Sequence, residues 1–354
     1  MTDLKNIIEN SNRLLFEVEL EPIQGDRFQP TGFPDIQAAT YRDPSGRNML
    51  LLESAQSMAN RLEKTIIGKN DLDVVEQLKG LSYVVAELSG KNNEEIIRTS
   101  SLTESHRMAS SYILTDDFWD IFQKDSGYSE NKPLEWNKLA KTVLKYDINS
   151  LIHGVFFSNK GKGRIRFPRI ISAFIEAADV NEVMSGGVNI SIVSPTGEIV
   201  IDQKTKEKEK NIFGNVPYHR TEYTAKKITA YFNIDIATLR SYSLGEKAEK
   251  LIINLCLYKI KSFLEDNLRL RTACDLKVKG DILGSDGFTI PDKVKLLESI
   301  KEGIKECKEL FYDPSPFVVK GNYKKSNKKE NRNESENNSS EQDDENSQED
   351  ANDE

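Results

Sequence analysis

Six short stretches of this 354-residue chain place arginine or histidine beside aromatic, glycine, proline and small polar residues. They are GDRFQPTGFP (25–34), SAQSMANRLE (54–63), RTSSLTESHR (98–107), GKGRIRFPR (161–169), GNVPYHRTEY (214–223) and LRLRTACD (268–275). The chemistry available to such segments is anion capture and stacking. Guanidinium forks pair phosphates through two parallel hydrogen bonds. Aromatic rings stack on unpaired bases, and the free N–H groups of glycine-rich loops add anion sites. Each segment alone also fits a charged surface loop with a buried aromatic anchor. Six in one chain favour a groove for single-stranded nucleic acid.

Catalytic signatures are missing. The chain contains no GxxxxGK[ST], HExxH, GxSxG or CxxC, so the common phosphate-loop, metalloprotease, hydrolase and zinc patterns are absent. His106, His153 and His219 are more than forty residues apart and form no cluster in sequence. His153 lies in an apolar run and reads as a core histidine. Asp116-Asp117 reads as a helix-cap region, and Asp343-Asp344 as part of a polar tail. The expectation is a binding protein without catalytic residues, metal or cofactor. Cys256, Cys274 and Cys307 are too few and too scattered for a disulfide framework; the first and last fall on apolar faces of expected helices.

Composition must be read by position. The formal net charge is -8, with 49 basic and 57 acidic residues. Residues 324–354 hold 5 basic and 11 acidic groups and only Ala351 among hydrophobic types. The remaining body is nearly neutral, so the acidic balance does not argue against nucleic acid. A segment with so few apolar groups cannot offset its ordering entropy and is expected to be a disordered acidic tail. No apolar run approaches the ~20 residues of a membrane span, and residues 1–10 show no signal-peptide pattern. A cytoplasmic, reduced protein is expected.

The elements that must position the six segments follow from periodicity. Residues 13–21 alternate apolar and polar, as a half-buried strand does. Residues 39–42 and 48–53 flank Asp43-Pro44-Ser45-Gly46 as a hairpin, and Ser54 is placed to cap a helix through Leu62. Residues 81–88 read as a strand, and helical stretches are expected around 102–111, 117–123 and 134–146. Residues 151–157 read as a strand; 165–178 begins extended and turns helical after Pro168. Residues 190–193 and 198–201 flank Ser194-Pro195-Thr196-Gly197 as a second hairpin. The mixed-charge run 204–210 that follows reads as a solvated loop. Residues 223–235 read as a strand and 268–277 as another, with helices through 248–264 and 294–307. Hairpins and helices without regular βαβα alternation point to an α+β fold around an antiparallel sheet.

Five longer motifs, GDRFQPTGFPDIQAATY, LLESAQSMANRLE, KYDINSLIHGVFF, RFPRIISAFIEA and GNVPYHRTEYTA, resemble the backbone subunit of type I-G (formerly I-U) CRISPR–Cas Cascade surveillance complexes. That subunit is of the Cas-seven type, in the RAMP superfamily. The resemblance spans residues 12–317 in order. It implies a modified RNA-recognition fold, ferredoxin-like at heart, with long insertions and a protruding thumb hairpin, over residues 1–323. It further implies head-to-tail assembly of copies into a helical filament along a CRISPR RNA, with other Cascade subunits as partners in antiviral defence. The guide's bases stay available to pair with target DNA, and no membrane is involved. The hairpin at 190–202, with flanks across 185–221, is the thumb candidate. The candidate guide contacts are Arg27, Gln29, Arg61, Arg98, His106, Arg107, Arg164, Arg166, Arg169, His219, Arg220 and Arg271. Arg61 also has Glu53 and Glu63 as internal partners within reach, and Arg269 and Arg271 can both face solvent from one strand. RNA-cleaving relatives use an aspartate in the loop after the first strand, a position Asp26 occupies here. A monomeric RNA-binding protein is the other alternative.

Overall fold

Leu14, Phe16, Val18 and Leu20 are buried while Arg13, Leu15 and Glu17, which alternate with them, are exposed, which makes β1 (Arg13–Pro22) a half-buried strand. The computed structural model describes residues 4–33, 37–90, 96–191, 214–282 and 284–322. In chain order the further strands are β2 (Gly32–Phe33), β3 (Gln37–Ala38), β4 (Thr40–Arg42), β5 (Asn48–Glu53), β6 (Val84–Ser89), β7 (Ile96–Ser100), β8 (Val155–Phe156) and β9 (Arg166–Phe167). They continue with β10 (Ile171–Ala178), β11 (Asn181–Ser191), β12 (Gly214–Thr224), β13 (Lys227–Asp235), β14 (Arg269–Arg271), β15 (Cys274–Val278) and β16 (Phe317–Asn322). The helices are α1 (Leu4–Asn10), α2 (Ala55–Lys64), α3 (Asp116–Ser126), α4 (Trp136–Tyr146), α5 (Ile148–His153), α6 (Ile236–Ser241), α7 (Glu246–Asp266) and α8 (Lys293–Glu306).

The main sheet has seven antiparallel strands in the order β14-β15-β1-β13-β10-β5-β4. Within it, β15-β1-β13-β10 is connected so that α2 lies between β1 and β10 in sequence and α7 between β13 and β15. Both helices cover the same face and touch each other. The core sits there. α7 is buried along most of its length, from Ala248 to Leu264, because α2, α5, α8, β13 and β15 surround it. A second sheet, β16-β6-β7, pairs β16 parallel and β7 antiparallel to β6. The chain is therefore an α+β protein built on an antiparallel sheet, as expected.

The hairpin β4/β5 and the Ser54 cap form as their residues dictate; the Ser54 hydroxyl accepts from the Ser57 amide at 3.2 Å. Four expectations are corrected. Residues 151–157 are helix α5 up to His153, because the Asp147 carboxylate caps the amides of Asn149 and Ser150 at 3.0 and 3.2 Å. Only Val155–Phe156 is extended after Gly154, whose φ is +82°. After Pro168 the chain forms strand β10 instead of a helix. Ile171, Ala173, Ile175 and Ala177 are buried with period two, and both edges pair, to β13 and β5. Around 102–111 only a single 3-10 turn, Arg107–Ala109, forms. Residues 268–277 fold as two paired strands, β14 and β15.

β11 and β12 form a two-stranded ribbon of their own, paired from Asn181↔Thr224 to Ser191↔Gly214, and Tyr223 of β12 also bridges Phe28. Most of the 190–202 hairpin, the 204–210 charge run and the acidic tail, Asp343-Asp344 included, lie outside the described residues.

Candidate nucleic-acid interface

The loop after β1 is fastened to the ribbon by a buried aromatic. Phe28 is buried, and its amide and carbonyl both bond Tyr223 of β12 at 2.9 Å. This places Arg27 and Gln29 beside His219 and Arg220. The Glu222 carboxylate, itself buried, lies 3.4 Å from Arg27 Nη1 and 2.6 Å from Arg220 Nη2. One negative charge thus orients two guanidiniums and leaves the group net positive. A cleft of about 500 Å³ opens here, lined by Gln29, Thr31, Glu182, His219, Arg220 and Tyr223 among others. Arg220 Nε is shielded from solvent and has no acceptor.

A second carboxylate joins the loop to the sheet edge. Glu53, at the end of β5, is fully buried and accepts from Arg61 Nη2 at 2.9 Å, from Arg271 Nη2 and from the Ser57 hydroxyl. Arg271 also donates to the carbonyls of Gln29 at 2.8 Å and Leu52 at 3.2 Å, and Arg61 to that of Leu270 at 2.7 Å. Both arginines are spent on holding β5, β14 and the loop together. Arg271 does not face solvent from β14, whereas Arg269 is exposed.

The third carboxylate is Glu63 on α2. It binds Arg107 through two bonds, Nε to Oε1 at 2.6 Å and Nη2 to Oε2 at 2.9 Å, with both side chains buried. Arg107 Nη1 reaches the Gly154 carbonyl at 3.0 Å. Asn149 donates to Glu63 Oε1 at 2.9 Å and accepts from Lys259 Nζ at 2.5 Å; Lys259 donates onward to His153 Nε2 at 2.8 Å. Lys259 is 0% exposed, and burial pulls its pKa down to about 8. Burial, then the charges of Lys259, Arg107 and Arg169, holds His153 well below its ordinary value. His153 is the core histidine its apolar surroundings suggest.

Three arginines ride on the β8/β9 hairpin and its exit. Arg164 donates to the carbonyls of Glu130 at 2.6 Å and Lys132 at 3.2 Å. Arg166 sits 5.6 Å from the centre of the Phe156 ring. Arg169 reaches back to Gln56 and the Ala55 carbonyl at the start of α2, and burial and Arg107 lower its pKa. These links, from Arg220 through Arg27, Gln29, Arg271, Glu53 and α2 to Arg169 and Arg107, make one connected arginine band.

Of the twelve expected contacts, Gln29, His219 and Arg220 line the cleft, Arg27 meets Arg220 through Glu222, and Arg164, Arg166 and Arg169 gather at the hairpin. Arg61, Arg107 and Arg271 are engaged inside the protein. His106 is exposed beside Arg107, while Arg98 pairs with Glu87 at 2.6 Å across the small sheet, apart from the band. Glu222 and Phe156 were missed; of the two partners expected for Arg61, Glu53 pairs with it and Glu63 pairs with Arg107. Glu222 was findable, because strand alternation sets it on the same face as Arg220. Among the described residues, no group of three or more His, Cys, Asp or Glu could hold a metal ion, and no helix is long and apolar enough to cross a membrane.

Residues 14–182 match the family model described as CRISPR-associated protein GSU0053 (Cas_GSU0053). No curated protein matches the chain. Among solved structures, a chain of a "CRISPR RNA-guided surveillance complex, pre-nicking" is similar at a TM-score of 0.42 and 10% identity, over 84% of this chain and 89% of that one. Thermofilum pendens Csc2 is similar at a TM-score of 0.29 and 10% identity, over 84% and 76%. Both likenesses are remote.

Proposed function

We propose that this chain is a guide-RNA-binding backbone subunit of a type I CRISPR surveillance complex, of the Cas-seven kind and the I-G subtype. The match of residues 14–182 to a CRISPR-associated family carries the reading. The strand order β15-β1-β13-β10, with α2 and α7 on one face, supports a ferredoxin-like RNA-recognition fold and a place in the RAMP superfamily.

In this reading the arginine band holds the guide by its phosphates. Arg27, Gln29, His219 and Arg220 line one end, and Arg164, Arg166 and Arg169 the other. The buried Glu222 fixes the Arg27 and Arg220 guanidiniums in advance, which lowers the ordering cost of their phosphate contacts. Contacts to backbone leave the bases free, so sequence is read by pairing with target DNA while the protein reads shape and charge. In this reading the thumb candidate, 185–221, whose described part belongs to the β11/β12 ribbon, serves contact with the neighbouring copy. Repeated heterologous contacts that do not close give a head-to-tail filament along the guide, joined by other subunits of the complex. The chain itself contributes no catalytic step.

Mass measurement and electron microscopy with and without guide RNA test this. Several copies on one guide, at constant spacing, are the expected result. A monomer that binds one site on any RNA, without regular assembly, would overturn it.

A further inference from the structure

One exposed aromatic has a setting that core packing does not account for. Phe156 is 47% exposed although Val155 and Phe157 on either side are buried. The β8/β9 pairing Phe156↔Arg166 holds the Arg166 guanidinium 5.6 Å from its ring centre. Gly163, at φ +67°, lays its backbone along the ring edge; a Cβ there would meet Cζ at 3.6 Å and Cε2 at 3.9 Å. The hairpin is held in place. Arg164 donates to the carbonyls of Glu130 and Lys132, and Lys162 pairs with Glu130 at 2.6 Å while remaining largely exposed. The ring is thus oriented, supported at its edge and beside the Arg166 guanidinium, yet open to water.

We infer that Phe156 is a stacking platform for an unpaired base of single-stranded nucleic acid, with Arg166 and Lys162 meeting the adjacent phosphates. The ligand class follows from the surroundings. A cationic rim beside an exposed ring suits a polyanion that carries flat faces. A protein-docking anchor would instead lie within an apolar patch. The platform is tied to the arginine band through Gly154, whose carbonyl accepts from Arg107. It rests on the guide-binding reading for the identity of the polymer. The guide RNA and a single strand of DNA offer the same chemistry.

The test titrates the full chain with oligouridine RNA and oligothymidine DNA, each carrying one 2-aminopurine, at several salt concentrations. Phe156→Leu keeps an apolar side chain and removes the ring; Phe156→Tyr restores it. Phe156→Leu is expected to weaken binding about tenfold at every salt concentration. The log–log salt slope stays unchanged because the same phosphates remain neutralised. Phe156→Tyr binds as the wild type does, and 2-aminopurine fluorescence is quenched by the wild type and by Phe156→Tyr but not by Phe156→Leu. Loss confined to RNA assigns the platform to the guide; equal loss on both polymers assigns it to any single strand. Normal wild-type binding that Phe156→Leu leaves intact overturns the platform alone. A wild-type chain that binds neither polymer overturns the guide-binding reading with it.

Discussion

Glu63 grips the Arg107 guanidinium with both carboxylate oxygens, at 2.6 and 2.9 Å, in the protein interior. Arg107, one of the expected guide contacts, makes its third bond to the Gly154 carbonyl and so ties α2 to the hairpin that carries Arg164 and Arg166. Removing one partner of such a pair strands a buried charge. Arg107→Ala should therefore cost about 3–5 kcal/mol of stability, read from chemical denaturation. Arg107→Lys should recover only part, since a point charge cannot span both oxygens. An unchanged denaturation midpoint in Arg107→Ala would show that the pair is not structural.

Arg27 and Arg220 are expected to behave in the opposite way. Both are solvent-accessible around the shared Glu222 carboxylate. Each alanine substitution leaves the buried Glu222 its other guanidinium, so the stability loss should be smaller than for Arg107→Ala. Single-strand affinity should fall, and the log–log salt slope should become shallower by about 0.7 for each phosphate that is no longer neutralised. The weakening should be equal for guides of different sequence. Titration of each variant over a range of salt checks this, and an unaltered slope contradicts it.

Lys259 makes stability depend on alkaline pH. Its pKa falls from 10.5 in an exposed lysine to about 8 in the fold. Between those values the unfolded chain binds more protons than the folded one, so this contribution rises as pH climbs through the window. Burial pushes the thiols up to about 12 at Cys256 and about 11 at Cys274, and these pull the other way. The readout is therefore the difference between wild type and Lys259→Met. Wild type should gain on the variant between pH about 8 and about 10. A constant difference would mean that Lys259 does not titrate there.

The ribbon should separate binding from assembly. Ile190 and Ser191 pair with Asn215 and Gly214 at its far end, eight registers and more from the Phe28–Tyr223 bridge that anchors it. Replacing residues 190–202 by a short Gly/Ser linker should keep the monomer folded and the arginine band functional. Regular spacing along the guide should be lost in electron micrographs. Filaments of normal period would place the thumb elsewhere.

Elements with a clean period or a cap were legible in the sequence, as β1, α7 and the Ser54-capped α2 illustrate. β10 was not, because a short apolar run fits helix and strand alike and only pairing on both edges decides between them. α5 was hidden because its start depends on the Asp147 cap, ahead of the apolar residues that suggested a strand. The arginines were visible as a class, but their division was not. Arg61 and Arg271 converge on Glu53 from positions over two hundred residues apart, an arrangement that exists only once the sheet has formed. Phe156 was passed over because an apolar run does not reveal which member faces water.

Sequencing the RNA that co-purifies with the chain from cells carrying a CRISPR array tests the central claim most directly. Repeat-derived guide RNAs, strongly enriched over the cellular pool and indifferent to spacer sequence, are the predicted result. RNA that mirrors the cellular pool, or protein that purifies without RNA from such cells, would contradict it.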